Sequence, residues 1–514
     1  MRRALGTLVA VVLTVSACGG TSTSSTPSQN EPAKGGDLVI VRAVDSKSMD
    51  NTTVFDNSSI WVFEQMLEML YTVTPDGKGV KPWLAESYTL SDDKLNWTFK
   101  LRPGVKFSNG MPVTSADVKF SIDKASGTKG GWEFINTAIK TVAAPDPMTV
   151  VVTTKYPWSP LLADLSNFNN AILPKDYAGM TAEQFYEAPI GTGPFKWDHW
   201  TKGSELKLVK NPDYWQPGKP SLDSVTWKAV PDDNTRTLQL EGGQASINEF
   251  PPFSAVSQLK NSTTSKVTLF PSTKTDYLLL NNTAAPFDDV HARRALSLAV
   301  DRKSIVKSVL FGNGEPANSF MPPQVPFYDA ASPGLQFDLT AAKAELAKSK
   351  TPSGFAATYL ASAGDVQDAQ IAQILQAAVK PLGIDIKIET VDKATARARQ
   401  DKLDYQITHS SWTMDIADPD ELVSFAVDPT TGAQSFYTGY NNPDVIKATR
   451  DAQRAFVDAD RQKSYSFIQK QAAEDAFMVF LYYSPYQYSY SNKVNGFLPY
   501  PTGNYHLEDV TLSK

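Results

Sequence analysis

Cysteine occurs once in the chain, as Cys18, and histidine four times, as His199, His291, His409 and His506. No two histidines stand at a metal-ligand spacing such as HxxxH, so the sequence predicts no protein-built metal centre. Nucleophile patterns are equally thin. There is no GxSxG elbow and no GxxxxGK[ST] phosphate loop; Gly191-Thr192-Gly193-Pro194 is too short for one and reads as a tight turn. SxxK recurs at Ser121 with Lys124, Ser257 with Lys260 and Ser304 with Lys307, but a four-residue pattern recurs by chance, and no SDN or KTG partner accompanies it. These patterns supply no catalytic residue and no cofactor site. An exported hydrolase is the rival from another class, and cleavage products after incubation with mixed peptides would revive it.

Aromatic side chains gather in stretches poor in charge: Trp132, Tyr156-Pro157-Trp158, Trp412, and Tyr482-Tyr483-Ser484-Pro485-Tyr486-Gln487-Tyr488. Each offers a large apolar body with a polar tip, which suits core packing and also a cleft that grips varied side chains. Cys18 has a different context. Arg2 and Arg3 precede an almost uncharged run of about 14 residues, too short for a transmembrane helix of roughly 20, and Val15-Ser16-Ala17-Cys18 resembles a lipobox. That resemblance implies cleavage after Ala17 and a lipid-bearing Cys18, anchored to the cell membrane and facing away from the cytoplasm. Residues 19–34, GGTSTSSTPSQNEPAK, read as a flexible linker with an r.m.s. span of roughly 20–25 Å.

The remainder, with 41% hydrophobic and 20% charged residues overall, has the composition of a water-soluble globule. A formal net charge of −6 argues against nucleic acid, whose phosphates need a basic face. Length well beyond one hydrophobic core predicts two or three lobes, and a lone cysteine removes disulfides as a source of stability.

Elements that could position a cleft are legible in the pattern. Asp37-Leu38-Val39-Ile40-Val41 is strand-like, residues 95–102 alternate at period two, and residues 149–154 form a β-branched run. Val105-Lys106-Phe107 lies between Pro103-Gly104 and Asn109-Gly110 turns, suggesting short antiparallel connections; the first 180 residues lean toward β. Asp289 caps an expected helix through Ala292, Ala295, Leu296, Ala299, Val306 and Val309 to Gly312. Residues 354–362, then Ile371, Ile374, Leu375 and Ala378, then Ile384, Ile386 and Ile388 read strand, helix, strand, a βαβ unit in an α/β lobe.

Residues 101–122, LRPGVKFSNGMPVTSADVKFSI, closely resemble the signature of the peptide and nickel group of ABC-transporter solute-binding proteins, the bacterial extracellular solute-binding protein family 5. Similar markers follow in register: Lys81-Pro82-Trp83-Leu84-Ala85-Glu86-Ser87-Tyr88, Gly191-Thr192-Gly193-Pro194-Phe195, Asn211-Pro212-Asp213-Tyr214-Trp215, and residues 281–314 with His291-Ala292-Arg293-Arg294. The resemblance implies an α/β, type II periplasmic-binding-protein-like clamp with a mainly β extra lobe. Lobe I would comprise 35–60, 186–276 and 488–514, lobe II 61–185, and lobe III 277–487. It also implies a monomer that closes on a peptide and delivers it to membrane permease subunits.

Within the resemblance, Trp412-x-x-Asp415 matches a W-x-x-D whose aspartate holds a peptide α-ammonium group while the tryptophan walls the pocket. His409 occupies a place where some oligopeptide binders carry arginine for the peptide carboxylate; histidine cannot make the bidentate pair, which puts a fixed peptide length in doubt. Asp45, Ser46, Tyr277 and Tyr483 resemble positions that line the peptide backbone. Oligosaccharide, opine and nickel-chelate ligands remain alternatives within the family, as does a signalling role without a permease.

Overall fold

In the computed structural model the protein is described over residues 32–33, 35–332, 334–431 and 435–513. Cys18 and most of the expected linker lie outside the described residues. Pro32–Ala33, read from sequence as linker, instead pair antiparallel with Thr511–Ser513.

Three large sheets organise the described chain. The first, in order Ser265–Phe270, Tyr486–Ser491, Ile247–Glu249, Asp37–Arg42, Ser224–Ala229, Glu205–Lys210 and Phe195–Thr201, draws on both ends of the sequence. The second is antiparallel throughout, in order Ala85–Leu90, Asn96–Leu101, Thr149–Thr154 and Ile139–Asp146, and buries Trp97, Phe99, Val150 and Val152 on one face. The third runs Glu315–Pro316, Met478–Tyr483, Thr275–Leu280, Ile407–Trp412, Ala356–Ser362 and Asp385–Val391. Its Thr275–Leu280 strand is buried along its length: Leu278 and Leu280 enter one core, while Tyr277 and Leu279 enter another on the opposite face.

The βαβ unit is present. Ala356–Ser362 and Asp385–Val391 pair in parallel around the helix Val366–Val379, and Gly383 ends the connection at φ 75°, a backbone state glycine adopts without steric cost. Two expectations differ. The helix expected from Asp289 to Gly312 is two helices, Val290–Ala299 and Arg302–Val309, because the Asp301 carboxylate accepts from the Lys303 and Ser304 amides and starts a new helix. Val105-Lys106-Phe107 supplies only a single bridge, from Lys106 to Pro112, and the helix Ser115–Gly127 follows.

Among the described residues, two chain segments cross between the first and third sheets: residues 271–274, between Phe270 and Thr275, and Ser484-Pro485, between Tyr483 and Tyr486. Thr273 Oγ1 donates to the Met414 carbonyl and accepts from the Met414 amide, both at 3.0 Å. The crossing is thereby tied to the loop that carries Asp415.

The markers read from sequence converge on a residue they do not contain. Glu68, 4% exposed, accepts from Trp83 Nε1 (2.7 Å), Thr192 Oγ1 (2.7 Å), Tyr214 OH (2.9 Å) and Trp215 Nε1 (3.0 Å). Gly191 and Gly193 allow this approach, because a Cβ on either would stand 1.9 Å from the Met66 carbonyl oxygen or 2.6 Å from that of Gln65. SxxK chemistry receives no geometric support: Ser121 Oγ bonds to the Asp117 and Leu173 carbonyls, whereas Lys124 Nζ donates to Thr52 Oγ1.

Candidate functional site

A cavity of about 1140 Å³ lies where the three sheets' loops meet. This is at the upper end for a small-molecule site and leaves room for an extended ligand. Its wall is aromatic: Phe55, Trp61, Trp132, Phe134, Phe250, Trp412, Phe425, Phe436 and Tyr437 all line it. Rings from opposite sides touch, Phe134 to Phe425 at 5.2 Å and Trp132 to Trp412 at 6.4 Å between centroids. Phe250, Phe436 and Tyr437 hold φ of 53°, 48° and 58°, a left-handed conformation that costs a side-chain-bearing residue of order 1–3 kcal/mol and concentrates at functional sites.

Trp412 and Asp415 come to this wall together. The strand Ile407–Trp412 ends at the cavity, and the helix Asp420–Val427 returns Glu421 beneath the intervening loop. Glu421 accepts from Trp412 Nε1 at 3.0 Å and from the Asp415 and Ile416 amides at 2.9 and 3.1 Å, fixing ring and loop. No cation among the described residues pairs with the Asp415 carboxyl. Burial, followed by the nearby charges of Glu421 and Glu64, pushes its pKa well above the usual carboxylate range. A carboxyl held in low dielectric without a counter-ion is suited to a cationic ligand group, which would restore its ionised form.

The other residues predicted for the site are engaged elsewhere. Alternation along Ile407–Trp412 turns His409 to the face opposite Ser410 and Trp412, where its Nε2 lies 3.2 Å from Asp276 Oδ1. Asp276 also meets Ser484 Oγ at 3.2 Å and Lys274 Nζ at 3.5 Å, so His409 supports the sheet crossing instead of the cavity. Tyr277 is wholly buried behind Phe436, ring to ring at 5.6 Å, because its strand is covered on both faces. The Tyr483 hydroxyl is spent on Asn318, Ser319 and Met321. Asp45 accepts from Trp200 Nε1 and the Gly203 amide at 2.8 and 2.7 Å, pinning a hairpin. Ser46 donates to the Ser58 carbonyl and accepts from Arg42. The expectation places these five side chains against ligand; in the structure none of them lines the cavity.

Besides Asp415, the cavity is lined by charges that carry no signal in the sequence, Arg42, Asp56, Glu133, Glu249, Arg397 and Asp401. Arg397, on the helix Lys393–Asp401, stacks over the Tyr437 ring at 4.4 Å and lies 3.2 Å from Asp401. The Phe436-Tyr437 doublet was a usable aromatic signal; Arg397 had none, being one of several basic residues on an otherwise ordinary helix.

Buried acids make stability fall with rising pH. Burial raises Glu64 to about 8 and Glu68, Glu249 and Glu421 to about 7, against 4.5 for a free glutamate. A folded pKa above the unfolded one stabilises fully below the unfolded value and loses that contribution as pH climbs through the folded value. Carboxyls held low, such as Asp276 and Glu508, act below the ordinary carboxylate range and leave pH 5–8 to the raised group. The expected result is a lower urea midpoint at pH 8 than at pH 6 in ligand-free protein; an equal or higher midpoint would refute it.

Comparison with known proteins places this arrangement. Residues 79–434 match the family model described as bacterial extracellular solute-binding proteins, family 5 Middle. The probable D,D-dipeptide-binding periplasmic protein DdpA of Escherichia coli K12 is 34% identical over 493 residues, covering 93% of this chain and 94% of the relative. The solved structure of the ABC transporter-associated periplasmic binding protein DppA from Helicobacter pylori, in complex with the peptide STSA, superposes with TM-score 0.82 at 28% identity, covering 93% and 98%. That of the PBP AgaA in complex with agropinic acid, from A. tumefacien R10, superposes with TM-score 0.83 at 27% identity, covering 93% and 99%. The shared architecture is the mixed α/β, type II periplasmic-binding-protein clamp.

Proposed function

Because this chain belongs to family 5 of the bacterial extracellular solute-binding proteins, whose members bind solutes and are not enzymes, we propose that its cavity captures short peptides by the N-terminal amine. The observation that carries this reading is the Asp415 carboxyl, set into an aromatic wall without a cation and raised by burial. The aromatic faces take diverse side chains, and Arg397 supplies positive charge to the wall for a ligand carboxylate. Names of relatives support the class: DdpA is described for D,D-dipeptides, and the Helicobacter pylori protein holds a tetrapeptide.

In this reading the seven-stranded sheet belongs to lobe I, the four-stranded sheet to lobe II and the six-stranded sheet to lobe III, with the strands Thr275–Leu280 and Tyr486–Ser491 each beginning just ahead of the boundary expected from sequence. The lobes close about residues 271–274 and 484–485. Ligand contacts to both sides exist only when closed, so ligand shifts the population toward closure. The monomeric clamp, tethered through lipid on Cys18 outside the cytoplasm, then delivers its load to an ABC permease.

Calorimetry tests the amine directly. A free-amine tri- or tetrapeptide is expected to bind at least tenfold more tightly than its N-acetylated counterpart, since acetylation removes the charge Asp415 would meet. Equal affinity for the two would overturn the reading. Preference for agropinic acid over every peptide would move the assignment toward the ligand named for AgaA.

A further inference from the structure

Away from the cavity, lobes II and III meet through a second, separate cluster of charge. Ser159, in the segment after the strand Thr149–Thr154, donates its amide to the Gln453 carbonyl at 2.8 Å. Its neighbour Trp158 donates Nε1 to Asp164 Oδ2 at 2.6 Å. Across the contact, Gln453 Nε2 donates to Asp420 Oδ1 at 2.7 Å, and the Asp420 amide donates to Asp418 Oδ1 at 3.0 Å. Asp164, Asp418 and Asp420 are 2%, 5% and 6% exposed, so water screens none of them.

The cations facing this cluster are already assigned. Arg461 grips both oxygens of Asp418 at 2.8 Å and approaches Tyr465 OH at 3.3 Å. Arg450 pairs with Asp428 at 3.0 Å, and Arg454 stacks over Tyr156 at 5.0 Å. Asp164 and Asp420, one on each lobe, form no ion pair among the described residues. Two buried carboxylates in one such place cannot both ionise cheaply.

We infer that Asp164 and Asp420 are a proton-operated latch between lobes II and III, which holds the clamp closed while a proton remains on the pair and releases it when both ionise. Burial, and for Asp164 the charge of Asp420, holds the Asp164 carboxyl well above its ordinary range; burial and Asp418 raise Asp420 to about 7. Separating the lobes returns both groups to water and to ordinary acidity, so closing takes up protons and acid favours the closed form. The sign is opposite to that at Asp415, where an arriving ammonium group expels a proton. The latch rests on the closing-clamp reading but not on the identity of the ligand.

Small-angle scattering of ligand-free protein at pH 5.5, 6.5, 7.5 and 8.5 tests it. The radius of gyration of the wild type is expected to rise with pH, whereas Asp420→Asn and Asp164→Asn stay compact across the range, with circular dichroism confirming that each is folded. A flat wild-type profile, or the same pH-dependent expansion in both variants, would overturn the latch. Peptide titration of the same samples separates the two proposals: peptide binding with a flat profile removes the latch alone, and a pH-driven expansion without peptide binding removes the ligand assignment alone.

Discussion

Asp415→Asn is expected to weaken binding of a free-amine peptide by about 10- to 150-fold, because a hydrogen bond to a charged group contributes roughly 1.5–3 kcal/mol and each 1.4 kcal/mol is a factor of ten. The substitution keeps the shape of the side chain and removes only its charge. The Asp415 amide, which donates to Glu421 at 2.9 Å, is untouched, so the loop should hold its place. Folding should not suffer: a carboxyl whose pKa is raised by burial and by Glu421 is a liability at neutral pH, and its neutral replacement is expected to be at least as stable at pH 8. The pH profile adds a second signature. Wild-type affinity should climb as pH rises from 5.5 to 8, as binding no longer has to remove a proton from Asp415, and the variant should lose that component. Unchanged peptide affinity in a folded Asp415→Asn protein would end the amine role.

Glu68→Ala is expected to lower stability by about 3–5 kcal/mol, read as a fall in the urea midpoint, because it removes the shared acceptor of four donors, of which Thr192 and Tyr214 are buried and Trp83 and Trp215 half-buried. Those donors come from three separate stretches of chain, so the loss is shared across the joint between the first and second sheets. Trp83→Phe removes a single donor and leaves the carboxylate three partners; about 1 kcal/mol is the expected cost. A Glu68→Ala midpoint within error of wild type would show that the donors find other acceptors. Peptide affinity in the surviving folded fraction should change little, since Glu68 does not line the cavity.

Particular elements show what pattern could reveal. The βαβ unit was readable because Ile384, Ile386 and Ile388 keep period two and Ile371, Ile374, Leu375 and Ala378 keep the helical period, signals that need no long-range information. The break at Asp301 was less visible, since apolar spacing continues from Ala299 to Val306 while a single capping carboxylate decides the boundary. At the site, Trp412 and Asp415 were legible as a local motif. Tyr277 and Tyr483 do not line the cavity, and an aromatic residue has the same appearance in a sequence whether its strand faces a cavity or is covered on both sides. The alternation of its strand gives His409 to Asp276.

The sequence by itself determined membership of a family of solute binders, the strands and helices with strong periodicity, and the pairing of Trp412 with Asp415, because all of these are written in neighbouring residues or in motifs kept in order along the chain. Tertiary structure decided which charges face ligand and which face one another. Arg397 reaches the cavity only because its helix packs beside Tyr437, Glu68 collects donors up to 147 positions away, and Asp164 is brought near Asp420 from a separate stretch of chain, separations far beyond any local pattern. Burial is the physical reason for the division: it sets the dielectric around each carboxyl, and therefore its charge, and it exists only once distant segments have closed around it.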